Sequence, residues 1–482
     1  MKSLIWFRND LRVHDNTALH AATKPGQNPD GCVALFVIPP TQWKRHDYAP
    51  VRVDFILRNL VILSKSLEAL SIPLRIIHAD QESEIPNLIL REAQELKCGA
   101  LHFNREYEVD EAARDARVTS LLGSKDITVC AHHDQTALPP GSVRTQENKP
   151  FTVFTPFKKR WGVFHVEQGG TPVLAAPKPQ AATRISPSPI PASVPGFKST
   201  IDPTLWPAGE DAAMNALRKF AHERIYRYKS DRDYPAIPGT SQQSVALATG
   251  VISPRQCLAV AIEASGGKLD GGGPGPMHWI SEIVWREFYV HVVEAFPRVC
   301  MHRAFKPATD KIVWSHDERL FERWKAGTTG VPIVDAAMRQ LNQTGWMHNR
   351  LRMVAAMYLT KDLFIDWRWG EKYFMQNLVD GFLASNNGGW QWSASTGTDA
   401  APYFRIFNPV SQSRSYDPEG TFIRKYCPEL ASLDNHEIHE PYSDETGVAP
   451  LRRSKLDYPE PIVDHRKARD YVLAAFKAMG SA

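Results

Sequence analysis

Asp380-Gly381-Phe382-Leu383-Ala384-Ser385-Asn386-Asn387-Gly388-Gly389-Trp390-Gln391-Trp392 sets two asparagines and two glycines side by side between stretches of helical spacing. Glycine lets backbone approach a ligand closely, and Asn386 offers both a donor and an acceptor. Generic structure rarely needs such a string, so a ligand is expected beside it. Outward from this stretch, apolar residues recur three and four apart over 279–296, 332–341, 347–364 and 371–378. The pattern is helical from about Leu217 onward, with a last helix candidate at 465–479, so the C-terminal part reads as all-helical. Tryptophan collects there too: nine of the thirteen lie between Trp279 and Trp392.

Within that segment, helical spacing sets Trp279, Glu282, Trp285 and Arg286 on one face, which suits a flat aromatic ligand with polar edges. A core tryptophan face with a surface Glu-Arg pair accounts for the spacing equally well. His278 and Glu282 do not form HExxH, so a metal reading fails. Upstream, Thr240-Ser241-Gln242-Gln243-Ser244 follows Tyr228 and Arg232; hydroxyls opening a helix can hold a pyrophosphate, although a plain capped helix start is the simpler reading. The run Gly271 to Gly275 is interrupted by proline and reads as a loop.

The N-terminal part has another rhythm. Short β-branched runs at 4–7, 33–38, 74–78, 101–103 and 127–130 alternate with amphipathic stretches at 51–70 and 84–96, the pattern of a parallel α/β domain. Its first strand-to-helix turn, Arg8-Asn9-Asp10-Leu11-Arg12, lacks GxGxxG, so a dinucleotide is expected elsewhere. Nine prolines between Thr171 and Pro207 exclude helix and central strand there. The expected organisation is an α/β domain at 1–131, a connector at 132–207 and a helical domain at 208–482. A chain of 482 residues with 43% hydrophobic residues supports more than one core. The net charge of +4 permits nucleic acid without arguing for it. No apolar run is long enough to span a membrane, and charge interrupts the N-terminus before any signal-peptide core. The six cysteines show no paired spacing, so reduced thiols, no metal and the cytoplasm are expected.

Four motifs carry a resemblance: WxxEIVWREFY at 279–289, GWMHNRLRM at 345–353, DGFLASNNGGWQWSASTGTDAAPYFRIFNP at 380–409 and the opening IWFRNDLRVHDN at 5–16. They closely resemble the photolyase/cryptochrome family, and within it the bacterial class I cyclobutane pyrimidine dimer photolyases, from the first strand to about Pro461. The resemblance implies a Rossmann-like α/β antenna domain joined by a long linker to an all-helical FAD-binding domain. It implies FAD held by Tyr228, Thr240, Ser241, Gln242, Gln243, Ser244, Trp279 and Arg286, and by the stretch Asp380, Gly381, Phe382. Asn386 would sit at flavin N5, with Arg352 and Asp380 as an ion pair beside the ring. Trp390, Trp367 and Trp314 resemble the chain that carries electrons inward from the surface. Glu282, Trp285, Tyr289, Asn349, Met353 and Trp392 would line the lesion pocket, with Arg232, Arg350, Arg405 and Gln412 on flanking phosphates. Trp324, Trp346 and Trp369 keep a packing role.

The implied activity is light-driven repair of pyrimidine dimers in DNA by a monomeric bacterial protein. A dimer must leave the duplex to meet a buried cofactor, and a poorly stacked lesion costs less to extrude. Two positions depart from the family. Phe382 stands where members usually carry Asp, and either loosens FAD or marks a compensated repacking. His46, Asp110 and Glu111 resemble a site for 5,10-methenyltetrahydrofolate as antenna, yet Met301 stands where folate binders tend to carry Lys; a deazaflavin or an empty site are the alternatives. A cryptochrome photoreceptor, a (6-4) photolyase and a light-independent flavin oxidoreductase are the competing functions.

Overall fold

The computed structural model describes every residue except 25, 27–29, 446, 481 and 482. Strands β1 (Lys2–Phe7), β2 (Cys32–Ile38), β3 (Leu74–His78), β4 (Cys98–Asn104) and β5 (Thr128–His132) form one sheet in the order β3-β2-β1-β4-β5. Every pairing is parallel. Strand β2 is buried along its whole length, as a strand covered on both faces must be, which is why it reads as an unbroken apolar run. The helix Pro50–Glu68 follows β2 as the spacing predicts.

In doubly wound sheets a ligand usually lies outside the strand ends where the order reverses, here between β1 and β4. That crevice is filled by protein. Arg8 reaches Asp115 at 2.6 Å, Asn9 donates to Glu106 at 2.6 Å, and Arg114 joins Glu106 at 2.7 Å. The cavity left there is about 20 Å³, room for a water and no more.

The chain forms two compact units. One holds Met1–Tyr226, Ser241–Cys300 and Val379–Ala384; the other holds Arg227–Thr240, Met301–Leu378 and Ser385–Ala482. Compactness therefore divides the chain elsewhere than composition does, since the helices Glu210–Glu223, Pro254–Ala264 and Pro274–Ala295 belong with the sheet. Gly250 shows the packing: with φ of +65°, a Cβ there would lie 2.0 Å from the Asn9 carbonyl oxygen. The expected connector also contains a helix, Phe154–Glu167, ahead of the proline-rich segment.

The second unit is helical around one apolar core that includes Trp314, Trp324, Trp367 and Trp390. Two expectations change here. Residues 347–364 do not form one helix: Asn349–Met357 is α-helical, and Tyr358–Asp362 is a π-helical turn. The Asn-Asn-Gly-Gly string does not separate helical stretches but lies inside the helix Leu383–Ala394.

Candidate cofactor and substrate site

Each unit carries its own share of the residues singled out above. In the sheet-bearing unit the helix Pro274–Ala295 sorts its side chains onto two neighbouring faces rather than one. Trp279 is buried, its Nε1 donating to Ser241 Oγ at 3.2 Å and its ring packed on Phe220. Arg286 shares that edge: its guanidinium donates to the Gln135 carbonyl at 2.7 Å and lies 4.5 Å over the ring of Phe382. Burial brings the Arg286 pKa down to about 10, still charged at neutral pH. Glu282, Trp285 and Tyr289 occupy the adjacent, half-open face, where Trp285 packs against Tyr289 at 5.7 Å. Ser241 and Gln242 precede the short helix Ser244–Ala248, Gln242 with φ of +55°, and the buried Gln243 Oε1 has no hydrogen-bond partner.

In the helical unit, Asn386, Gly389 and Trp392 share the open side of the helix Leu383–Ala394, while Asn387, Trp390 and Gln391 are buried on the other. The buried side is fastened by polar bonds. Asn387 donates to Glu371 Oε1 at 2.7 Å, Gln391 donates to Asn387 Oδ1 at 2.8 Å, and Gln391 Oε1 accepts from Phe305 N at 2.7 Å. Asn386 Nδ2 donates to the Glu371 carbonyl at 3.0 Å, which fixes which end of its amide faces outward. A Cβ on Gly389 would meet nothing within 4 Å, so the helix presents open space beside Asn386.

The helix Asn349–Met357 sets Asn349, Arg352 and Met353 on its half-open side, and Arg352 Nε donates to the Met347 carbonyl at 2.8 Å. Arg350 meets Asp233 at 3.0 Å and lies 4.3 Å over Tyr416; Arg232 approaches the same carboxylate at 3.7 Å and lies over Tyr228. Two of the four candidate phosphate contacts are thus gathered around one carboxylate. Thr240 follows in the same unit, and Gln412 lies half-buried on the helix Pro409–Tyr416. Arg405 is exposed beside Tyr403 and Phe404, the latter 64% exposed. Tyr403 and Phe404, unassigned by sequence reasoning, meet edge-on at 5.6 Å, and Tyr403 stacks on Phe476 at 5.7 Å.

The three candidate electron carriers are all buried, Trp314 at 5%, Trp367 at 0% and Trp390 at 2% exposure. Trp314 adjoins the backbone bridge Ser315↔Ile365 and packs on Phe364 at 5.0 Å, just ahead of Trp367 in sequence. Gly370 is where Trp390 needs space: a Cβ there would lie 2.1 Å from Trp390 Cη2 and 2.6 Å from Leu359 Cδ2. Gly370→Ala is expected to lower stability by about 1–3 kcal/mol through overpacking, measured by thermal denaturation.

His46, Asp110 and Glu111 come together on the sheet-bearing unit. His46 meets Asp110 at 3.1 Å and Glu111 at 3.0 Å, while Gln42 donates to Glu111 at 3.1 Å. Burial disfavours the imidazolium, but the bonds to Glu111 and Asp110 outweigh it and raise the His46 pKa. The cavity beneath, bounded by Trp6, Trp43 and Tyr48, is about 40 Å³. Met301 is 59% exposed and belongs to the other unit. Among the described residues, no group of three or more His, Cys, Asp or Glu side chains could hold a metal ion, and no helix is long and apolar enough to cross a membrane.

The class is an α/β protein with a parallel sheet closed by protein at its switch point, followed in sequence by a helical unit whose open helix faces carry asparagine, arginine and tryptophan. Comparison makes the class specific. Residues 3–178 match the family model for DNA photolyase, and residues 279–478 match that for the FAD binding domain of DNA photolyase. The chain is 44% identical over 478 residues to the deoxyribodipyrimidine photo-lyase of Escherichia coli, covering 98% of each. A solved class III photolyase from Agrobacterium tumefaciens superposes with a TM-score of 0.85 at 33% identity, covering 100% of this chain and 98% of that one. A cryptochrome from Synechocystis superposes with a TM-score of 0.84 at 28% identity, covering 99% of each. The chain belongs to the DNA photolyase family.

Proposed function

We propose that this chain repairs cyclobutane pyrimidine dimers in DNA under light, with FAD as cofactor. The observation that carries the reading is the open side of the helix Leu383–Ala394, where Asn386, Gly389 and Trp392 stand together, while Asn387 and Gln391 are hydrogen-bonded on the buried side. The chemistry of each unit fits a share of FAD: in the sheet-bearing unit the hydroxyls of Ser241 and Ser244 and the guanidinium of Arg286 suit a pyrophosphate, and in the helical unit the hydroxyl of Thr240 and the open space at Gly389 are the proposed contacts. Tyr228, Gln242, Gln243, Trp279, Arg352, Asp380 and Gly381 complete the proposed cofactor contacts. When bound and reduced, FAD supplies the light-absorbing electron donor. The protein supplies position: Trp285 and Trp392 give flat walls for flipped bases, a contact worth about 1–3 kcal/mol per base in stacking sites. Glu282 and Asn349 offer hydrogen bonds to pyrimidine edges, and Met353 and Tyr289 fill the sides.

Arg232, Arg350, Arg405 and Gln412 orient the strand through phosphate without reading sequence. Binding is therefore expected to weaken as salt rises. The protein acts, in this reading, as a monomer in the bacterial cytoplasm. For the antenna we infer 5,10-methenyltetrahydrofolate at His46, Asp110 and Glu111. A deazaflavin is the alternative occupant, beside the cavity of about 40 Å³ beneath these residues. The absorption spectrum of the extracted chromophore separates the two.

The test of function is to incubate the reduced protein with dimer-containing DNA in light and in darkness. Dimers lost only in light support repair; dimers unchanged in both leave a photoreceptor. Phe382 gives a second expected result. Arg286 already packs over its ring, so the missing carboxylate is compensated by a cation–π contact, worth about 2 kcal/mol when desolvated. Phe382→Asp is expected to leave FAD per protein, read by absorbance, unchanged and to lower the thermal midpoint. Higher occupancy together with faster repair in the variant would mean that Phe382 weakens the site.

A further inference from the structure

The helix Phe154–Glu167 begins with a residue that lies outside all four family motifs. The ring of Phe154 lies face to face on the indole of Trp285, centroids 3.6 Å apart and planes 12° from parallel. Phe154 is buried, and Phe288 meets it edge-on at 5.9 Å. The stack is held in register from behind. One turn on, Phe157 packs on Phe288 at 5.1 Å and on His291 at 5.0 Å. Further on, Trp161 Nε1 donates to Glu287 at 2.6 Å, and the same carboxylate accepts from Ala137 N and Leu138 N, both at 2.9 Å. Glu287 thus accepts three hydrogen bonds, and sliding of the helix along Pro274–Ala295 would break the one from Trp161 and leave a buried carboxylate underbonded.

We propose that Phe154 is a positioning residue for substrate: it covers one face of Trp285 and fixes the indole plane, so that the other face is presented as a ready-made platform for a flipped pyrimidine. This rests on the reading of Trp285 as a wall of the lesion pocket. A lone half-buried tryptophan must be ordered when a base stacks on it, and that ordering opposes binding. With Phe154 behind it the ordering is complete before DNA arrives. The outcome is a three-layer stack, phenyl, indole, base, in which only the last contact forms on binding.

The test uses the full-length, FAD-loaded protein in darkness and measures affinity for one short oligonucleotide with a dimer and for the same strand undamaged. Phe154→Leu is expected to weaken dimer binding roughly three- to tenfold, the equivalent of immobilising one side chain, while undamaged binding stays constant. Phe154→Tyr, which keeps the flat ring, should retain wild-type affinity, and Phe154→Met, which fills the volume without a plane, should behave as Phe154→Leu. In a Trp285→Ala background, Phe154→Leu should add nothing, because the residue acts through the indole. Equal affinity in Phe154→Leu, Phe154→Met and wild type, or additive losses in the double variant, overturns the proposal. If Trp285→Ala itself leaves dimer affinity unchanged, the lesion-pocket reading of Trp285 fails and takes this inference with it. If Phe154→Leu loses FAD or thermal stability, the comparison of Phe154→Tyr with Phe154→Met still decides: equal dimer affinity in those two overturns the role of the ring plane.

Discussion

Trp390→Phe should leave bound FAD oxidised under blue light on a timescale where the wild-type protein is fully reduced, while repair by chemically reduced protein persists. The indole of Trp390 is buried in the helical core, edge-on to Phe374 at 4.9 Å and to Trp324 at 6.0 Å. Its Nε1 has no hydrogen-bond partner, so packing alone holds the ring and phenylalanine breaks no polar contact. What the substitution removes is an oxidisable ring. Benzene gives up an electron far less readily than indole, and a barrier raised by only about 3 kcal/mol already slows a step by more than a hundredfold. The smaller ring also leaves a void against Gly370, with a stability cost on the order of 1–2 kcal/mol. That cost is too small to explain a loss of photoreduction of this size. The measurement is the flavin absorbance under illumination with an external reductant, followed by dimer repair after chemical reduction in the dark. Photoreduction at the wild-type rate removes Trp390 from the electron path. Loss of both activities marks a general failure of the site instead.

The parts of this protein legible in its sequence are those where local pattern and tertiary context agree. β2 is apolar throughout because both its faces are covered, and the run at 33–38 announces it. The helix Pro274–Ala295 is announced by its spacing, but not the split of its ligand-facing side chains. That split depends on Phe220 and Ser241 capturing Trp279 while Trp285 is left to Phe154. The Asn-Asn-Gly-Gly string reads as a gap between helical stretches because glycine and asparagine disfavour helix. Glu371 and Phe305 override that preference by bonding Asn387 and Gln391 from elements distant in sequence. The π-helical turn at Tyr358–Asp362 has no proline or glycine to signal it. Its buried Lys361 donates to Ser395 Oγ at 2.9 Å and sits over Phe476, contacts set by tertiary structure alone. The helix Phe154–Glu167 is a different failure. Its apolar residues at 154, 157, 161 and 164 are helical in spacing, and the prolines that exclude helix begin only at 172.

Asp134→Ala should cost roughly 3–5 kcal/mol of stability, because it leaves two buried guanidiniums without their shared carboxylate. Asp134 pairs with Arg12 through one oxygen and with Arg255 at 2.7 Å through the other, which also accepts from Thr17 Oγ1 at 2.8 Å. Arg12 in turn donates to the Gly250 carbonyl at 3.0 Å, and Arg255 to Asp15 at 2.9 Å. One carboxylate thus joins the β1 turn, the segment after β5 and the start of the helix Pro254–Ala264. Residues 241–253 are held at their far end by this network, so the variant should also lose FAD more readily. Burial alone would raise the Asp134 pKa, but Arg12 and Arg255 outweigh it and bring it down to about 2. The folded state therefore binds this proton less readily than the unfolded chain. Its contribution is complete above the ordinary aspartate pKa near 4 and disappears as pH falls through about 2. Urea denaturation from pH 7 down to pH 2 should show the variant far below wild type at neutral pH, with the gap closing in acid. A gap that stays constant with pH would assign the loss to a packing defect and remove the ion network as its cause.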